Sequence, residues 1–201
     1  SIFASAAPSI AERFADVRLR IEKACQDAGR KSSDVVLTAV SKTQPDEALV
    51  EALATGQTVF GENRVQEAYS HWADRRDGLE LRLIGPLQTN KALDAVRLFD
   101  VIETLDREKL AVALADAQTK SGRKVRVLVQ VNTGAEEQKA GVLPDDADAL
   151  IALARDEHGL LVEGVMCIPP ADEDPKNHFS LLKSIADRNG LTVISMGMSG
   201  D

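Results

Sequence analysis

Apolar and polar positions follow two different periods along the 201 residues of this chain, and the changes of period mark its elements. Near the start, Ile10, Phe14, Val17, Ile21, Ala24 and Ala28 recur at three- and four-residue steps. At 3.6 residues per turn those positions form one stripe, which predicts an amphipathic helix. Ser9 and Glu12 make a capping-box pattern just after Pro8, and Gly29 ends the stripe. Beyond it the period changes repeatedly. Short apolar runs predict strands over 35–41, 58–61, 81–84, 101–104, 125–132, 161–168 and 192–196. Helical patterns fill the intervals, over 46–54, 64–76, 91–98, 107–120, 145–156 and 176–189. Strands and helices that alternate in this way imply parallel βα units joined by right-handed crossovers.

Two architectures fit such units: an open doubly wound sheet and a closed (β/α)8 barrel. The open sheet needs a reversal of strand order, and no segment signals one. The count therefore favours a (β/α)8 TIM barrel whose last helix–strand unit is missing from these residues. No shift of composition interrupts the rhythm, so 1–201 reads as a single barrel domain, incomplete at its C-terminal side.

Composition narrows the picture. Aromatic residues are only 3% of the chain against 44% hydrophobic residues overall, so the core must be built from Val, Leu, Ile and Ala. A net charge of −8 argues against nucleic acid or an anionic membrane as the main partner. Cys25 and Cys167 have no metal or redox spacing, and so few thiols in a domain of this size suit a reducing cytoplasm. His71, His158 and His178 form no pair at metal-ligand spacing, which leaves no metal site to propose. No apolar run reaches membrane-spanning length.

The chemistry gathers at the carboxyl ends of the strands. The first run, Val35 to Ser41, delivers Lys42 just before Pro45 and Asp46 open a helix. A lysine there occupies the position where α/β folds place their chemistry. Buried, its amine would lose hydration and become able to form a Schiff base; the alternative is a snorkelling or paired lysine. The second strand ends in Gly61-Glu62-Asn63-Arg64. Asn63 reads either as the cap of the next helix, with Gln66 three residues on, or as an amide beside a ligand ring. The sixth brings Met166, a soft wall for a planar ligand or an ordinary core residue. Cys167 follows it with no base nearby in sequence. The seventh ends in Ser195-Met196-Gly197-Met198-Ser199-Gly200, where glycines around a serine let backbone N–H groups and a hydroxyl approach an anion. A Schiff-base lysine and a phosphate cradle on one face suit pyridoxal 5′-phosphate (PLP), an aldehyde that carries a phosphate.

Together these segments resemble the pyridoxal phosphate homeostasis proteins, the YggS/PROSC (PLPBP) family. The resemblance rests on Ala39-Val40-Ser41-Lys42-Thr43, Phe60-Gly61-Glu62-Asn63, Val65-Gln66-Glu67, the run from Leu83 to Lys91, Gly164-Val165-Met166 and the run from Ser195 to Ser199. It implies a barrel like the N-terminal domain of alanine racemase, with PLP carried on Lys42, Asn63 and Met166 near its ring, and Ser199 with Gly200 holding its phosphate. It also implies intracellular buffering and delivery of PLP without a turnover reaction, with apo PLP-dependent enzymes as candidate recipients. Members continue through a further helix and strand to an arginine–glycine segment that is not in these residues. A monomer is expected, able to associate through open sheet edges. The alternative is a PLP-dependent amino-acid racemase, which needs a second acid/base across the ring. Tyr69, on a helical stretch, is poorly placed for that. An aldolase-type barrel using Lys42 directly on a carbonyl would leave the resemblance unexplained.

Overall fold

A computed structural model describes residues 8–197. Its sheet has seven strands: β1 (Ala39–Val40), β2 (Val59–Glu62), β3 (Glu80–Leu83), β4 (Val101–Leu105), β5 (Arg126–Gln130), β6 (Leu161–Cys167) and β7 (Val193–Met196). Seven helices accompany them: α1 (Ile10–Asp27), α2 (Asp46–Ala54), α3 (Val65–Trp72), α4 (Ala92–Leu98), α5 (Glu108–Ser121), α6 (Pro144–Ala152) and α7 (Pro175–Arg188). Every pairing is parallel and the order is β1-β2-β3-β4-β5-β6-β7. A doubly wound sheet would reverse its order part-way, so that alternative is excluded. The result is a curled, partial barrel. Among the described residues β1 and β7 do not pair with each other, and an eighth unit is not seen.

Local chemistry sets the ends of the helices. Ser9 caps α1, its hydroxyl oxygen accepting from the Glu12 amide at 3.1 Å. Asp174 caps α7 in the same way, through the Lys176 amide. Pro144 and Pro175 begin α6 and α7, where a missing N–H costs nothing. Gly122 ends α5 at φ 68°, a left-handed turn that glycine adopts without strain.

The first strand is much shorter than the expected 35–41. Only Ala39 and Val40 pair with β2, because β1 is an edge with a neighbour on one flank. Before it, the Leu37 carbonyl accepts from the Gln57 side chain at 2.7 Å instead of from a neighbouring strand.

Alternation across the strands produces two apolar groups. Outward residues such as Phe60, Leu81, Leu83, Ile102, Val127, Val165 and Cys167 pack with the helices into the main core. Inward residues Val101, Leu128 and Met166, with Val193, form a small cluster in the bore. The β6–β7 contact is so close that a Cβ on Gly164 would lie 2.0 Å from the Val193 carbonyl oxygen. Register shifts in β4–β5 and β5–β6 set Glu103 and Thr104 together, and add Glu163 to β6 as an extra residue.

Candidate functional site

Register identifies residues that share the bore face of the sheet. Val40, Gly61, Arg82 and Val101 are partners across β1 to β4, and Gln130, Met166 and Ser195 are partners across β5 to β7. Lys42 lies in the turn that follows β1, and Asn63 in the bend that follows β2. Lys42, Asn63 and Met166, far apart in sequence, all fall at the carboxyl ends of parallel strands. Met166 is buried and Asn63 half-buried. Lys42 is exposed rather than buried, because β1 is an edge strand and shelters it from one flank only.

Asn63 does not cap the following helix. The N-cap of α3 is Arg64, in extended conformation and without a side-chain cap bond. The Asn63 backbone is packed tightly by the next loop, where a Cβ on Gly85 would lie 2.2 Å from the Asn63 carbonyl oxygen. That contact explains a glycine before Pro86.

Both neighbours of Lys42 are tied to the helix layer. Ser41 is buried, and its hydroxyl donates to Glu62 Oε1 at 2.7 Å. The same oxygen meets His71 Nδ1 at 2.6 Å and accepts from Trp72 Nε1 at 3.0 Å, while Glu62 Oε2 is buried without a partner. On the other side of Lys42, the Thr43 amide donates to Glu67 Oε1. Thr43 has φ 57°, a conformation rare for a β-branched residue. Glu67 and His71 stand one turn apart on α3, their ring nitrogen and carboxylate 4.0 Å from each other. Spacing alone had given His71 no role. Its partners are a strand-end carboxylate and a residue one helical turn away, a pairing visible only once β2 and α3 are packed together.

Inside the bore lies a charged ladder that sequence reading passed over. Arg82 pairs with Glu80 at 3.0 Å and with Glu103, and Arg126 pairs with Glu80 and with Glu163. Ser195 donates to Glu103 Oε1 at 2.5 Å. Burial alone would raise the Glu80 pKa, but the hydrogen bond from Arg126 and the charges of both arginines outweigh it and hold the carboxyl below its ordinary value. The signal in the sequence was charge at inward positions of otherwise apolar strands.

Cys167 is fully buried, and burial pushes its thiol pKa up, against a smaller opposing effect from a hydrogen bond with Thr133. A thiol kept protonated and out of solvent is a poor nucleophile. The loop after β5 is organised rather than loose. Asn132 donates to the Glu136 carbonyl at 2.7 Å and accepts from its amide at 3.3 Å. Glu136 pairs with Lys139 at 3.8 Å. Ser199 and Gly200 lie outside the described residues.

These features can be set beside known proteins. A family model described as alanine racemase, N-terminal domain, matches residues 19–201. A pyridoxal phosphate homeostasis protein of Pseudomonas aeruginosa is 39% identical over 199 residues, covering 96% of this chain and 86% of that protein. The chain belongs to the pyridoxal phosphate homeostasis protein family. Solved structures of PipY from Synechococcus elongatus PCC7942 agree. The form without PLP is 35% identical, with a TM-score of 0.81, and the match covers 96% of this chain and 91% of that one. The form with PLP bound is 33% identical, with a TM-score of 0.73 and 90% of each chain covered. Within the family frame, the fold is that of the alanine racemase N-terminal domain. Among the described residues no helix is long and apolar enough to cross a membrane.

Proposed function

We propose that this chain binds PLP at the carboxyl mouth of its sheet and holds and supplies that cofactor in the cytoplasm, with no turnover reaction of its own. What supports the reading is a lysine just past the end of β1, with Asn63 and Met166 at the carboxyl ends of β2 and β6, in a family whose member PipY has been solved with PLP bound. The residues fit the group. Lys42 offers an amine, Asn63 an amide free of capping duty, and Met166 an apolar wall. Thr104 Oγ1 is buried near the same end of β4 with no partner among the described residues, a polar atom left for something else to meet. When bound, PLP supplies an aldehyde carbon, with which an amine condenses with loss of water, and a phosphate that needs N–H and O–H donors.

Each residue then has a part. Lys42 presents its amine from a turn held at both flanks. Asn63 would lie near the ring of bound PLP, and Met166 would help to exclude water from it. Ser199 and Gly200 would hold its phosphate. A racemase needs a second acid/base, and Tyr69, the single tyrosine of the chain, is instead engaged in the helix layer, where it donates to the Asp94 carbonyl at 3.0 Å. One continuous sheet supports a single domain, and an eighth strand between β1 and β7 would close it. Apo PLP-dependent enzymes are the proposed recipients.

The test is borohydride reduction of the protein with PLP, followed by peptide mass mapping. The adduct is expected on Lys42 and absent from Lys42→Ala. Labelling mainly at Lys91 or Lys139, or unchanged in the variant, overturns the assignment. Lys42-dependent racemization at ordinary enzyme rates, roughly 1 per second or more, would instead favour a racemase.

A further inference from the structure

Lys42 follows a short edge strand that the sheet holds on one flank only, and a polar network behind the strands makes up the difference. β1 contributes only two paired residues at an open edge. The chain then turns through Thr43 at φ 57°, where a Cβ crowds the backbone, and such a conformation persists only when its surroundings enforce it. The enforcement is visible. On one side of Lys42, Ser41 donates through its amide to the Gly61 carbonyl at 3.0 Å and through its hydroxyl to Glu62 at 2.7 Å. On the other, the Thr43 amide donates to Glu67. His71 meets Glu62 at 2.6 Å and Glu67 at 4.0 Å, joining the two carboxylates.

We propose that Glu62, Glu67 and His71 form a clamp that positions Lys42 by gripping the residues on either side of it, and that they are positioning residues for the lysine's bond to PLP. The proposal rests on the reading of Lys42 given above. Glu62, Glu67 and His71 also bring one ligand atom each within 4.8 Å of one another, as a metal site would. Hydrogen bonding favours the clamp. Glu62 Oε1 already meets three side-chain partners and Glu67 Oε1 is engaged by a backbone amide, so those two oxygens are in use, while Glu62 Oε2 is left without a partner. Glu62, at the end of β2, is buried against α3, where it meets His71 and Trp72. The influence of Glu62 and His71 on the lysine therefore passes through the backbone of 41–43.

The clean variant is Glu67→Ala. Glu67 lies on a helix with its side chain 28% exposed, so alanine leaves no buried cavity and suits the helix. Glu67→Gln keeps a neutral oxygen for the Thr43 amide and serves as the rescue. Two readouts are needed. In the protein without cofactor, amide exchange in the peptide spanning 41–44 should quicken roughly tenfold in Glu67→Ala, as expected for loss of a bond to a charged acceptor, with the α4 and α5 peptides unchanged. In titrations with PLP, the midpoint for the borohydride-fixed adduct should rise by a similar roughly tenfold. Glu67→Gln should restore both to within about threefold of the parent. Glu62→Gln should also weaken the adduct, and if it fails to fold the Glu67 pair still decides. Unchanged exchange and midpoint in Glu67→Ala overturn the clamp. So does equal impairment in Glu67→Ala and Glu67→Gln. A parent protein with no adduct on Lys42 overturns the functional reading instead, and exchange at 41–44 still tests the grip on the turn.

Discussion

Single residues in this chain owe their behaviour to what lies across the sheet from them. Asn63 read as either a cap or a ligand contact, and the chain enters α3 through Arg64, so the cap reading falls. Cys167 is held as a buried thiol, which removes it from the chemistry. Glu80 carries a prediction of its own. Its carboxyl is held below its ordinary value, chiefly because Arg126 and Arg82 overcome the effect of burial. An unfolded glutamate titrates near about 4.3. A depressed carboxyl contributes stability that is fully present above that value and is lost as pH falls through the lower native value. Glu80→Gln should therefore cost roughly 1–2 kcal/mol at neutral pH, by breaking bonds to two arginines. The gap between parent and variant should narrow steadily below about pH 4. Thermal melts of both proteins from pH 3 to 7 check this, and a constant gap would show that Glu80 does not carry the effect.

Elements meet here at distances that only particular residues permit. β6 and β7 approach until a Cβ on Gly164 would lie 2.0 Å from the Val193 oxygen and 2.7 Å from its carbonyl carbon. Backbone cannot yield as a flexible side chain can, so Gly164→Ala must push β7 away from Met166. We expect a loss of about 3 kcal/mol, the upper end for overpacking, in urea unfolding. A loss near zero would mean that β7 is free to slide. The same logic explains why β1 is short. An edge strand gains ladder bonds on one side only, so its length depends on β2 and on substitutes such as the Gln57 amide.

For the whole molecule, the order β1 to β7 without reversal leaves two strands that do not pair with each other among the described residues. Edge groups of this kind invite pairing with another chain. Beside β1, an apolar groove between Ile10, Phe14, Val17, Leu37, Ala39 and Val40 adds exposed surface at the same edge. We predict that a chain extended past Asp201 by a closing helix and strand binds PLP at least roughly tenfold more tightly than one ending there, and associates less. The basis is that a closed sheet holds Lys42 and the loop after β7 from both flanks. Titration and light scattering of the two chains side by side check both parts, and equal affinities would show that closure is dispensable.

Much of this protein was legible before folding was considered. Hydrophobic period gave seven strands and seven helices in the right order, because burial on both faces makes parallel strands read as short apolar runs. The run Ala39 to Thr43 and the segment Gly61 to Arg64 pointed to the strand ends, because loops there carry residue types that packing does not demand. What the sequence could not decide were relations across the third dimension. The length of β1 depends on a flank that no described strand covers, the exposure of Lys42 on that same flank, and the duties of Glu62, Glu67 and His71 on how α3 lies over β2. The charged ladder from Glu80 to Glu163 depends on strand register. Periodicity reports which face of an element is buried. Which charge meets which, across elements distant in sequence, is fixed only when those faces are packed together.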